Sequence, residues 1–329
     1  MKTTYVKLMS FIAVFAILFS SCDDVDKTLN SNDKTVAEYV AQNPNLSILF
    51  AALEKTDLTN TLYTEGTYTV FAPTDEAFTL YLNANGYASI EDVETSVLTQ
   101  LLLNHVIGSE YSLQSLPANG YVKTLGKGTA SATNTLSMHI NIADALVTLN
   151  GKSTVSEQLG WSNIKLNNGI LHIVDDVITL PTIIDHVKAN NAFNTLETVL
   201  TSTSGSFGDQ SAVLNTLTTN ASPLTLFAPA NTAFTAATTG TGFAVGATAS
   251  QVSTVLRYHV VAGNNLSTGL LQDQSFATYT TPAQNVSIDL VGGAKVVDQE
   301  ENKGSVFAAD IQCSNGVIHG VSRVLQPTL

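Results

Sequence analysis

The sequence predicts an α+β protein built twice over: two tandem domains, each a helical cluster followed by strands. Three observations predict it. The phrase TVFAPTDEAF, Thr69 to Phe78, returns as TLFAPANTAF, Thr225 to Phe234. Around each phrase, apolar residues recur at helical spacing in the first part of the copy and give way to alternation and glycine turns in the second. The 329 residues also leave room for two domains of ordinary size.

The repetition runs well beyond one phrase. TVAEYVAQNPNLSILFAAL from Thr35 matches TIIDHVKANNAFNTLETVL from Thr182. LLLNHVIG, Leu101 to Gly108, matches VLRYHVVAG, Val255 to Gly263. NNGILHIVDDVITLP, ending at Pro181, matches SNGVIHGVSRVLQP, ending at Pro327. The order is the same in both copies, and the Ser/Gly-rich stretch TSTSGSFGDQ accounts for extra length in the second. The domains are therefore expected at 34–181 and 182–329, joined by a short connection at Pro181-Thr182.

Ahead of them lies an address. Residues 1–21 read as a secretory signal peptide: Lys2 and Lys7 precede an apolar run from Leu8 to Phe19, shorter than the ~20 residues a membrane span needs. Ser20-Ser21-Cys22 resembles a bacterial lipobox, with Phe19 where leucine is usual. That resemblance implies cleavage before Cys22 and its lipidation, anchoring an exported protein to the outer membrane; Cys313 is then expected as a buried free thiol. Residues 22–33, CDDVDKTLNSND, are polar and aperiodic and read as a disordered tether. Their acidic start is similar to the surface-export signals of Bacteroidetes lipoproteins.

Within each domain, Leu46, Leu49, Phe50 and Leu53 fall on one helical face, repeated by Phe193, Leu196 and Leu200. In the recurring phrase, Phe71 and Phe227 belong to a strand that Pro73 or Pro229 ends, since proline donates no ladder hydrogen bond. A helix follows. Position 74 is threonine but its counterpart is Ala230, so the helix cap is expected from Asp75 and Asn231. Phe78 and Phe234 would pack that helix into the core. Val93, Val97 and Leu101, and Val252, Val255 and Leu256, mark the next helix. LSMHINI then alternates, and Asn150-Gly151 and Gly292-Gly293 are hairpin signals. Asn168-Gly169 and Asn315-Gly316 introduce the last strand.

The three phrases, FAP, the histidine after the helix and the closing NGxxH segment, resemble the fasciclin-like domain family. They occur in both copies in the family's order and span nearly the whole mature chain. The resemblance implies a β-rich wedge with a helical cluster, and an extracellular adhesion module. It marks Tyr258-His259, and Asn104-His105 at the matching place of the first copy, as candidate binding residues.

His105, His172, His259 and His319 recur in pairs and invite a catalytic or metal reading. Each stands alone in apolar sequence, without a second ligand at helical or hairpin spacing; a buried histidine hydrogen-bonded to the main chain is expected instead. Asp175-Asp176 reads as a polar turn, since Ser322 replaces Asp175 in the second copy. GTGFAVG, Gly240 to Gly246, reads as a loop. There is no nucleophile elbow, zincin motif or P-loop, so no catalytic residue, cofactor or metal is assigned. A net charge of −13 and only two arginines, Arg257 and Arg323, argue against nucleic acid. Charged residues make up 12% of the chain, against the ~25% of ordinary soluble domains. That surface permits neutral glycans as partners, and the resemblance to the fasciclin-like family implies cell-surface or matrix proteins. The expected function is a lipid-anchored, non-catalytic adhesion module. The alternative is a glycan-binding surface lipoprotein serving polysaccharide capture, for which Tyr63, Tyr81, Tyr87, Tyr111, Tyr121 and Trp161 are candidate sugar platforms.

Overall fold

The computed structural model describes residues 33–64, 66–144, 146–156, 161–238 and 247–329. The signal segment, Cys22, the tether up to residue 32 and the GTGFAVG stretch lie outside the described residues.

The first copy opens with α1 (Val36–Gln42), α2 (Ser47–Lys55) and α3 (Thr59–Tyr63), followed by strand β1 (Tyr68–Pro73) and helices α4 (Asp75–Ala84) and α5 (Thr95–Leu103). Strands then dominate: β2 (Val106–Ile107), β3 (Asn119–Lys127), β4 (Thr135–Ala143), β5 (Leu146–Leu149), β6 (Ser153–Ser156), β7 (Ile164–Leu166) and β8 (Gly169–Val174). The second copy repeats the plan with α6 (Ile183–Ala189), α7 (Asn194–Leu200), α8 (Ser211–Thr219), β9 (Leu224–Pro229), α9 (Asn231–Thr238) and α10 (Ala249–Tyr258). It continues with β10 (Val260–Ala262), β11 (Ser275–Ala277), β12 (Asn285–Asp289), β13 (Lys295–Val297), β14 (Lys303–Cys313) and β15 (Gly316–Val321).

Both copies start on the same capping box. The Thr35 hydroxyl accepts from the Glu38 N–H while the Glu38 carboxylate accepts from the Thr35 N–H; Thr182 and Asp185 do the same for α6. Each copy does end in strands, but the last strand does not simply extend a meander. It returns to lie parallel to the first, β8 along β1 and β15 along β9, with Phe71 opposite His172 and Phe227 opposite His319. The sheets run β2-β1-β8-β7 and β3-β4-β5-β6 in the first copy, and β10-β9-β15-β14-β13-β12-β11 in the second.

That pairing explains the unbroken apolar run in the recurring phrase. Val70 and Ala72 enter a core of helix residues with Phe78, while Phe71 enters a second core among the strands. Leu226 and Ala228 against Phe227 repeat the division. The strand is buried on both faces, so its side chains need not alternate in polarity. The helical reading holds for Leu46, Leu49 and Leu53, all buried. It slips on α5, where Val97 is 45% exposed and Leu98, Leu101 and Leu102 face inward.

The hairpin signals are real turns. Asn150 and Gly151 have φ of 49° and 70°, and Gly292 and Gly293 have φ of 69° and 113°. At the NG pairs the glycine answers to crowding: a Cβ on Gly169 would sit 2.1 Å from the Tyr68 carbonyl oxygen, and one on Gly316 2.0 Å from that of Leu224.

One expectation is corrected. Asp75 does not cap α4; Thr74 does, its hydroxyl accepting from Ala77 N–H at 3.2 Å. The Asp75 carboxylate reaches sideways to the start of α2, accepting from Ile48 N–H at 2.8 Å and from Ser47 Oγ at 2.7 Å. Asn231 likewise accepts from Thr195 N–H at 2.9 Å, at the start of α7. The reason lies in the other helices. The residues at their own cap positions, Leu46 and Phe193, are buried and have no acceptor, so the neighbouring helix supplies one.

The two copies touch along a seam. The Lys123 ammonium donates to the Asp310 carbonyl at 2.9 Å, Gln312 N–H to Ser137 Oγ at 2.9 Å, and Ala130 N–H to the Ser314 carbonyl at 2.9 Å. Ser314 N–H donates to the Pro181 carbonyl at 2.7 Å.

Candidate functional site

The four recurring histidines form two kinds of brace, each present once per copy. His105 stands two residues beyond the end of α5. Its Nδ1–H donates to the Leu101 carbonyl at 2.8 Å, and its Nε2 accepts from Ile178 N–H at 2.9 Å. His259 does the same after α10, with the Val255 carbonyl at 2.7 Å and Leu325 N–H at 2.9 Å. Each ring ties a helix end to the segment beyond the last strand, and its tautomer is fixed by the two bonds.

The second brace uses the opposite tautomer. His172 Nε2–H donates to the Tyr111 carbonyl at 3.0 Å and Nδ1 accepts from Asn163 N–H at 3.2 Å. His319 pairs with the Asn265 carbonyl at 2.8 Å and Asp310 N–H at 3.4 Å. Phe71 stacks on His172 and Phe227 on His319, with centroids 5.5 and 5.8 Å apart. Burial lowers all four: His105, His172 and His259 to about 4, and His319 in the same direction. They are neutral at pH 7 with both nitrogens used.

The candidate binding residues lie inside the fold. Asn104, His105, Tyr258 and His259 are all buried. The Asn104 amide donates to the carbonyls of Ile178 and Thr179 and accepts from Thr124 Oγ1. Tyr258 replaces this with a longer reach, its hydroxyl donating to the Asn285 carbonyl at 2.7 Å; burial and Asp298 push it up to about 12. Their polar atoms are spent inside the fold, mostly on main-chain groups.

Several repeated residues escaped the sequence reading. Asn168 is more than a turn residue: its side chain accepts from Val36 N–H and donates to the Leu62 carbonyl. Asn315 does the same with Ile183 N–H and the Leu217 carbonyl. Thr69 and Thr225 each donate to a loop carbonyl, of Ser109 and Gly263, and accept an N–H two residues on. Asn163 and Asp310, with φ of 56° and 59°, cap the short 3-10 turns that begin at Leu113 and Ser267. Both stand nine residues before a motif histidine, a spacing visible in the sequence. His139 and His186 carried no such signal, because neither recurs.

The remaining candidates are dispersed. Asp175 accepts from Thr154 N–H, and Asp176 pairs with Lys152 at 2.8 Å, so this acidic pair belongs to a turn. Tyr81, Tyr87 and Trp161 pack on the helical core of the first copy, Tyr111 on its strand core, and Tyr121 against the second copy; Tyr63 is 44% exposed. The aromatics are therefore divided among three different cores and the surface. Cys313 is a buried free thiol, and burial raises it. Among the described residues no group of three or more His, Cys, Asp or Glu could hold a metal ion, and no helix is long and apolar enough to cross a membrane.

The surface offers shallow clefts of mixed lining instead. One lies on the seam, about 370 Å³, lined by Lys123, Thr133, Asn134, Thr135, Leu266, Thr268, Asp310 and Gln312.

Two copies of a helical cluster on a strand wedge, each built around two backbone-bound histidines, define a tandem-domain protein with structural rather than reactive motif residues. A family model described as the fasciclin domain matches residues 44–181 and 192–327, and the chain belongs to that family. In structure it is similar to a FAS1 domain pair from the insect cell adhesion molecule Fasciclin I, with a TM-score of 0.53 and 16% identity, over 86% of this chain and 97% of that one. In sequence it is similar to a fasciclin-like arabinogalactan protein of Arthroderma benhamiae, 30% identical over 184 residues, 56% of this chain and 38% of the relative. The transforming growth factor-beta-induced protein ig-h3 of Sus scrofa is 30% identical over 166 residues, 48% of this chain and 21% of the relative. Protein sll1483 of Synechocystis is 24% identical over 157 residues, covering 48% of this chain and 79% of the relative.

Proposed function

We propose that the chain is a non-catalytic adhesion or interaction protein of the cell exterior, held to the envelope by a lipid on Cys22 and projecting residues 34–181 and 182–329 as its two binding units. One observation carries this: in both copies the motif residues that could do chemistry spend their polar atoms on backbone groups. What remains for function is the outer surface, which has few charges and many Thr, Ser and Asn side chains. Two linked units raise avidity for a repetitive partner without any new contact. The resemblance to a domain pair from a cell adhesion molecule supports the same reading.

The test is retention of cells and of matrix proteins on an immobilised layer of the full chain. Saturable retention is expected; a folded layer that retains neither would falsify the proposal. The second reading, capture of neutral glycans, is favoured by the hydroxyl- and amide-lined cleft on the seam. Binding to an array of neutral and acidic polysaccharides separates the two, and a Thr135→Ala change should weaken only the glycan signal.

A further inference from the structure

The seam between the copies concentrates a defect. Among the described residues, five buried side-chain polar atoms lack a hydrogen-bond partner, and four belong to one place: His139 Nδ1, Asn150 Nδ2 and both ring nitrogens of His186. Asn150 is bound to His139 through the backbone at 2.9 Å. Tyr121 makes edge contacts with both rings, at 5.0 Å to His139 and 5.4 Å to His186. Gly151, beside Asn150, lies so close to α6 that a Cβ there would come within 2.9 Å of Ala189 Cα. His139 comes from β4 of the first copy and His186 from α6 of the second, so the defect bridges the two.

Buried polar groups without partners are costly, and a native fold rarely gathers them without a use. The charges around them sharpen the point. Lys123 on β3 faces His186 as a like charge, as does His139 once protonated. On β14 stand the Cys313 thiol and Asp310, whose carboxylate is taken up by Ser267. On α6 itself Asp185 is held by Thr182, and Lys188 and Lys152 line the neighbouring cleft. Main-chain groups of Gln312 and Ser137 beside His186 favour its charged form but are outweighed by burial and the like charges, and a proton on either imidazole meets no free carboxylate in the closed seam.

We infer that the seam is an acid-opened joint: at neutral pH it locks the two domains into one body, and protonation of His139 and His186 releases it. Burial holds both rings in the neutral form while the seam is closed, His139 lowered to about 4 and His186 to about 3. Once the seam opens they return to about 6.5. The open form then binds up to two more protons, so acid favours it. With two such groups the open-to-closed ratio rises by about five hundredfold between pH 7 and pH 5.

The experiment is hydrogen exchange of the full chain from pH 7.5 to pH 4.5, corrected for the intrinsic rate, with small-angle scattering on the same samples. The seam amides of Ala130, Gln312 and Ser314 are expected to lose protection tenfold or more at a pH where the amides of β1 and β9 still keep theirs, as the scattering radius grows. The double variant His139→Leu/His186→Leu, if folded, should hold the seam closed over that range. Seam and core amides losing protection together at every pH would overturn the inference, as would a folded double variant with the wild-type response. Should the variant not fold, the wild-type imidazole signals decide: His186 titrating near 6.5 with the seam amides still protected would also overturn it.

Discussion

His105 and His259 do at the residue scale what a backbone cannot: each satisfies one carbonyl at a helix end and one N–H beyond the last strand. Replacing His105 with alanine orphans Ile178 N–H in a dry site, which should cost about 2–4 kcal/mol. Urea unfolding monitored by circular dichroism checks this, and His105→Ala should unfold earlier without having altered any binding surface. Asp75→Ala should cost about 1–2 kcal/mol, although the residue caps a helix it does not belong to, and Thr74→Ala a comparable amount from its own helix. Asp75→Asn, which keeps an acceptor as Asn231 does, should fall within about 0.5 kcal/mol of wild type in the same assay.

At the scale of elements, the two-fold plan, the FAP corner, the helix faces of α2 and α7 and the hairpin turns were all legible, because each rests on local spacing or on residues with narrow backbone preferences. The parallel return of β8 to β1 was not, since a pairing about a hundred residues apart leaves no local signature. Position 74 misled for a related reason. Comparing the copies removes threonine from the candidates because alanine stands in its place, yet the cap at Thr74 is a property of the first copy alone. The candidate binding pairs were legible as special but not as buried; Asn104 and Tyr258 differ because they reach different carbonyls, not different ligands. The parallel return also makes a firm prediction. Gly169→Ala and Gly316→Ala each drive a methyl group into a strand backbone, and each should destabilise its own domain by about 3 kcal/mol or more. Thermal unfolding of the two variants by calorimetry should show different halves of the transition displaced.

For the whole molecule, the histidines set a working range of pH. All six are lowered by burial. Because the folded value lies below the unfolded one of about 6.5, their stabilising effect is complete above that pH and is lost as pH falls toward 4. A fully buried ring gives up about 2 kcal/mol by pH 5 relative to pH 7. Several such rings together rival the ~5–15 kcal/mol that holds a domain folded. The midpoint urea concentration should therefore drop steeply between pH 6.5 and pH 4.5 and stay flat from pH 7 to 8. A flat profile down to pH 4.5 would show that the braces persist when protonated.

The sideways reach of Asp75 and Asn231 bears on how the two halves have grown apart. Each finds its partner in a main-chain N–H, of Ile48 or of Thr195, which every residue except proline carries. The corner phrase thus recognises where the earlier helix begins through the main chain, with the Ser47 hydroxyl adding one side-chain bond in the first half alone. Ser-Ile can stand at that start in one half and Asn-Thr in the other without loosening the joint. A helix transplanted between the halves, cut at its first turn, should be accepted by the host's corner unchanged. Its inheritance would be constrained in length and starting point and free in composition.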